Sequence, residues 1–166
     1  MSEITQTQDT RREFIDTLCE LASEDESVVF IVPDVGFNYA EKFQKMFPER
    51  YINTGATEAS TIMFAVGLAL SGMMPWVYSM LNFVAFRPFE MVRNGIVLHE
   101  ANVKLLGVKG SEKYKFLGFS HGMVFDDEDV YHLKPYMDCF LPKTNKEVRE
   151  VILKNYVVDT PAYIRL

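Results

Sequence analysis

Two short apolar runs, VVFIV at residues 28–32 and VKLLGV at 103–108, constrain the fold most, because they stand among segments of helical periodicity. Runs of strand length with little polar alternation suit strands buried on both faces, the environment of a parallel sheet covered by helices. The rest of the chain keeps the alternation. Residues 10–24 place Phe14, Leu18 and Leu21 on one helical face, a helix is expected near 39–46, and a short strand at 51–52. Residues 57–70 read as a helix, 76–78 as a short strand, and 86–98 as a helix with Met91 and Val92 facing inward. Residues 130–136, 139–141, 146–156 and 162–165 continue as helix, strand, helix and strand. This predicts an α/β fold, a three-layer α/β/α arrangement with a mostly parallel sheet. Ligands of such sheets collect at the carboxyl ends of the strands. Function is therefore expected in the loops at 33–38, 54–58, 79–87 and 109–127.

Composition narrows the classes. A chain of 166 residues with 48% hydrophobic and 24% charged residues is long enough for one well-packed domain and is not a disordered polymer. Its 17 basic against 23 acidic side chains give a net charge of −6, which argues against generic binding to nucleic acid or an anionic membrane. The most apolar stretch, 62–76, is shorter than a membrane span and is broken by glycines. The N-terminus MSEITQTQDT is polar and has no apolar signal core, so residues 1–10 are expected to be disordered or flexible and 11–166 to form the domain. Cys19 and Cys139 both read as buried thiols, and a cytoplasmic, reduced protein is the simplest expectation. Nine Met, 13 Phe, 8 Tyr and 1 Trp are more than a small core hides, so some apolar surface is expected to meet a partner.

Four loop motifs carry candidate chemistry. In INTGATEAST, Gly55 permits a tight turn, Thr57 is placed to cap the following helix, and Glu58 falls in its first turn. An acid there either complements the helix dipole or is presented to a ligand ring nitrogen. In SMLNFVAFRPFEMVRN, Met80, Phe83 and Phe86 recur every third residue directly after a strand. That spacing serves a helical core stripe. Asn82, Arg87 and Pro88 interrupt it, however, so the segment reads as a loop feeding a helix, whose aromatics can stack on a planar ligand. In GFSHGMVFDDED, His121 stands between Ser120 and Gly122 on the ligand-facing side, suited to donate to a substrate oxygen or shuttle protons. Asp126, Asp127, Glu128 and Asp129 read as a solvated acidic run ahead of a helix; they lack calcium-loop spacing, and no metal ligand is assigned in this chain. Asp34, which closes the first strand in IVPDVG, is either a turn former or a ligand contact.

Taken in order, IVPDVG, PERYINTGATEA, AVGLALSG, the aromatic segment, GFSHG and DTPAYIRL resemble the pyrimidine-binding domain of transketolase-type thiamine diphosphate enzymes, from about Arg11 onward. The related group includes deoxyxylulose-phosphate synthase and the beta subunit of pyruvate dehydrogenase. The resemblance implies the thiamine diphosphate-binding fold in its pyrimidine module. It implies that Glu58 hydrogen-bonds the aminopyrimidine ring and favours the imino tautomer that generates the cofactor ylide. Phe83 would stack on that ring, Met80 and Phe86 would complete its apolar wall, Asp34 would sit near the cofactor or a subunit contact, and His121 would touch substrate. There are departures: Leu117 stands where an acid is expected, Lys109 near an expected histidine, and Met80 replaces a common aromatic. Arg87, Lys109 and Lys113 could supply positive charge for a substrate phosphate or carboxylate.

The Gly-Asp-Gly motif that holds the diphosphate and its metal in such enzymes does not occur in the chain, and the resemblance stops at TPAYIRL. The expectation is one module of a split enzyme: the diphosphate and the Mg2+ or similar divalent ion are held mainly by a partner subunit, and the assembly is a heterotetramer. The substrate would be a ketose or a 2-oxo acid, and the chemistry ketol or acyl transfer. Three alternatives stand: a beta-type subunit of a 2-oxo acid decarboxylase or dehydrogenase, a non-catalytic stabilising partner, and a phosphoacceptor signalling domain built on Asp34 and the Lys134–Pro135 pair.

Overall fold

The computed structural model describes residues 9–109, 116–123 and 125–166. Of residues 1–10, expected to be flexible, 1–8 lie outside the described residues, as does Lys113, while Asp9 and Thr10 begin the first helix. The described residues contain six strands: β1 Val28–Val32, β2 Tyr51–Asn53, β3 Met74–Met80, β4 Lys104–Val108, β5 Asp138–Phe140 and β6 Ala162–Arg165. They form one sheet in the order β2-β1-β3-β4-β6-β5, and every neighbouring pair is parallel. Every residue of β1 and β4 is buried, as their apolar runs require.

Helices cover both faces. On one, α1 (Thr10–Glu24), α2 (Glu41–Met46) and α6 (Asn145–Tyr156) pack on the side chains of Phe30, Val32, Trp76, Tyr78 and Leu106. On the other, α3 (Glu58–Leu70), α4 (Phe89–Met91) and α5 (Glu128–Leu133) cover Ile31, Val77, Leu105 and Tyr163. Local sequence sets several ends. Asp9 accepts from the Arg12 amide to cap α1, and Thr144 with Glu147 forms a complete capping box on α6.

The segment expected to be a loop at 79–87 is instead strand and helix. β3 runs through Met80, and π-helical turns at Asn82–Phe86 and Val92–Val97 flank α4. Pro88 is the physical reason: it has no N–H, and its ring would strike the carbonyl one α-turn back. The wider bond from the Arg87 amide to the Asn82 carbonyl (3.0 Å) keeps the chain helical up to it, and a like bond from Leu98 to Arg93 (3.1 Å) closes the second π-helical turn.

The acidic run is not uniformly solvated. Asp126 is exposed, but Asp129 is fully buried; it accepts the Tyr163 hydroxyl and, at 2.9 Å, Arg165 Nη1. Arg165 Nη2 reaches Asp127 at 2.5 Å. Helix α5 turns Asp129 inward over β6, where a carboxylate is sustained only by such partners. Gly107 leaves the room: a Cβ there would lie 2.3 Å from the Tyr163 hydroxyl. Cys19 is buried as expected, whereas Cys139 is only partly so; both thiols are free, and burial pushes each up to about 11, away from reactivity. No helix among the described residues is long and apolar enough to cross a membrane.

Lys104 is fully buried at the start of β4, its Nζ donating to the Val158 carbonyl (3.0 Å) and the Thr160 carbonyl (2.5 Å). Burial lowers its pKa from 10.5 to about 8, against the opposing pull of Asp159. Between those values Lys104 holds its proton less in the folded chain than in the unfolded one, so stability should rise with pH from about 8 until, above 9, the raised thiols of Cys19 and Cys139 pull the other way. Lys104→Met is expected to abolish that rise in urea-unfolding profiles taken across the window. A rise of the same size in the variant would refute the assignment.

Candidate active site

The strand order reverses between β1 and β3, since the chain leaves β1 outward to β2 and returns past it to β3. The loops leaving two such strands diverge to opposite faces and open a crevice at their carboxyl ends. A cavity of about 330 Å3 lies there, lined by Val35, Tyr39, Tyr78, Met80, Phe83 and His121 among others. A second, of about 410 Å3, adjoins it across Phe83 and is lined by Asn82, Phe86, Arg87, Phe119, Ser120 and Glu128 among others.

Glu58 is the first residue of α3 and is only 7% exposed. Thr57 holds the N-cap position, but its hydroxyl donates to the Thr54 carbonyl (3.0 Å) rather than capping the helix. The Glu58 carboxylate instead accepts Arg87 Nη1 at 2.6 Å. The guanidinium of Arg87 lies 4.0 Å from the centroid of Phe83, stacked over its ring. Phe83 and His121 meet in a T-shaped contact, with ring centroids 5.0 Å apart. Sequence-distant Glu58, Phe83, Arg87 and His121 thus form one cluster, with Met80 on the first cavity and Phe86 on the second.

The His121 loop is tied down. Gly118, at a φ of 80°, turns the chain into the short helical turn Phe119–His121; Ser120 Oγ lies 2.9 Å from His121 Nδ1; and Asn82 Nδ2 donates to the Gly122 carbonyl at 2.6 Å. Asn82, read from sequence as an interruption, is therefore the tether between the aromatic turn and the histidine loop. Arg11 and Tyr39, paired by a cation–π contact at 4.2 Å, also line the first cavity. No sequence signal singled them out, because Arg11 sits in α1, which reads only as an amphipathic helix, and Tyr39 just ahead of α2.

Two expected site residues stand apart. Asp34 is exposed, with a φ of 55°; its amide donates to Asn53 Oδ1 (3.0 Å) and its carboxylate accepts Asn53 Nδ2 (3.3 Å). It acts there as a turn residue that ties the loop after β1 to the loop leading into Glu58. Lys109 is exposed and pairs with Asp126 at 3.2 Å, lining neither cavity. Among the described residues no group of three or more His, Cys, Asp or Glu side chains is placed to hold a metal ion.

Residues 6–166 match the family described as transketolase, pyrimidine binding domain. The chain is 31% identical to one of the subunits of an apulose-4-phosphate transketolase from Phocaeicola vulgatus, over 94% of its own length and 50% of that protein. It is 28% identical to a 6-deoxy-6-sulfo-D-fructose transketolase subunit of a Clostridium species, over 94% of its length and 48% of the relative. A solved split-gene transketolase, an inactive β4 tetramer, superposes with a TM-score of 0.82 at 30% identity, over 95% of this chain and 50% of that one. The chain spans about half the length of the curated relatives it matches.

Proposed function

Since the chain belongs to the transketolase pyrimidine-binding domain family, we propose that it provides the pyrimidine half of a split, thiamine diphosphate-dependent transketolase-like transferase. The observation that carries this reading is the buried Glu58 carboxylate beside the face of Phe83, bridged by a flat nitrogen-bearing cation. The residues fit an aminopyrimidine: Phe83 offers a face to stack on, Met80 and Phe86 offer apolar walls, and Glu58 offers an acceptor in a low-dielectric setting. Thiamine diphosphate, when bound, supplies an electron sink for making and breaking bonds next to a carbonyl. This chain's part is to hold the ring. Glu58 shares a proton with a ring nitrogen, and the apolar walls exclude water and strengthen that hydrogen bond. His121, in T-shaped contact with Phe83 and lining the first cavity, is placed to hold or move a proton at a substrate oxygen.

The diphosphate and its Mg2+ or similar ion belong to a partner subunit carrying Gly-Asp-Gly and a later Asn, in a heterotetramer in the cytoplasm. The exposed rings of Phe37, Phe119 and Phe125, all at the carboxyl edge of the sheet, support a partner docking there. The substrate is a ketose. The similarity to two transketolase subunits favours ketol transfer over 2-oxo acid chemistry, although apolar Leu117 at the mouth of the first cavity removes one polar contact to a sugar. The test is reconstitution. Alone, the chain is expected to turn over nothing. Mixed with a second chain that carries Gly-Asp-Gly, it is expected to co-purify and to cleave ketose phosphates in preference to 2-oxo acids. Turnover by the chain alone would refute the split arrangement, and preference for 2-oxo acids would refute the substrate class.

A further inference from the structure

Resting on the pyrimidine-binding reading, we propose that Arg87 is the chain's own plug for the aminopyrimidine half-site. In the free chain its guanidinium stands where the ring stands in the loaded enzyme, and the ligand enters by displacing it. A guanidinium is flat, delocalised and edged with N–H donors. Arg87 uses its face against Phe83, 4.0 Å from the ring centroid, and its edge against Glu58, at 2.6 Å. These are the two contacts a stacked aminopyrimidine needs, and both are taken by one side chain.

The surroundings say that the plug is removable. Arg87 is stacked over the Phe83 ring, whereas the His121 ring stands nearly perpendicular to it, at 81°. Glu58 is 7% exposed and is absent from the residues lining either cavity, whereas Arg87 lines the larger one. Arg87 therefore stands between the carboxylate and open space. Its side chain is half exposed, and the adjoining cavity of about 410 Å3 gives it room to swing without moving the helix. The pair joins a buried carboxylate to a half-exposed cation, so the cation is the member free to leave. The closed fraction lowers the apparent affinity for any ligand of the half-site in proportion. An empty pyrimidine module would thereby keep a buried carboxylate and an apolar ring satisfied until cofactor and partner arrive.

The test uses the full chain and two probes, free thiamine and its aminopyrimidine half, titrated by calorimetry and by NMR of the arginine side chains. Arg87→Met is expected to bind both probes roughly tenfold more tightly than the native chain, and Arg87→Gln, a milder change, to shift in the same direction. In the native chain the Arg87 guanidinium signals should be slow to exchange, should lose that protection in Glu58→Gln, and should lose it again as the aminopyrimidine binds. Equal or weaker binding by both Arg87 variants, with saturable binding by the native chain, overturns the plug and leaves the pyrimidine-binding reading intact. No saturable binding by any of the chains overturns both.

Discussion

Glu58→Gln in the reconstituted two-chain enzyme is expected to lower kcat by at least about a hundredfold, the lower end of what a positioned acid–base group contributes. Gln keeps the size of the side chain and one acceptor oxygen, but it cannot share the proton that a ring nitrogen requires. The site around it should survive, because Met80 and Phe83 line the first cavity and Glu58 does not. The loss should therefore appear in kcat, with cofactor affinity changed far less. Steady-state kinetics at saturating thiamine diphosphate and magnesium decide the matter. A variant within about threefold of the native rate would remove Glu58 from the chemistry.

The largest expected effect on the fold is at Asp129. Asp129→Ala leaves the Tyr163 hydroxyl, fully buried, without its acceptor and takes one of two carboxylates from Arg165, itself only 12% exposed. Removing one partner of a buried pair typically costs about 3–5 kcal/mol. Asp127 still holds Arg165 at 2.5 Å, so a loss of about 3 kcal/mol in urea unfolding is expected. Tyr163→Phe, which keeps the Asp129–Arg165 pair, should cost about 1 kcal/mol. Equal losses for the two variants would show that the hydroxyl, and not the ion pair, is the element that matters.

Much of this architecture was legible because burial imposes a simple pattern. VVFIV and VKLLGV are apolar throughout or nearly so because both faces of β1 and β4 are covered. Phe14 and Leu18 repeat at helical spacing because α1 lies on the sheet. The neighbourhood of Glu58, Phe83 and His121 followed from the strand ends, although 79–87 is strand and helix and not the expected loop. What the sequence concealed were relations with no period. Pro88 reads as a helix breaker, yet a π-helical turn absorbs it. Asp129 looks like its acidic neighbours, and only α5 turns it inward. The pairing of Glu58 with Arg87 spans 29 residues and depends on how two elements meet at a strand end. Gly107 is one glycine among nine until the Tyr163 hydroxyl is seen filling the space beside it.

The strand order also fixes when the sheet can close as the chain leaves the ribosome. β5 has only β6 as its sheet neighbour, and β6 alone joins it to β4. The first four strands can pair in the order they are made, but β4 then keeps a bare edge while residues 109–161 are synthesised. Helix α6 is in the same position, since its Arg149 and Tyr156 find Glu20 and Asp25 from the start of the domain. An unpaired central edge is a template for intermolecular pairing. The nascent chain thus passes through a window of vulnerability that ends only when residues 162–165 slot into place. Ribosome pauses within that window, rather than the equilibrium stability of the finished domain, should govern how much of the protein is recovered soluble.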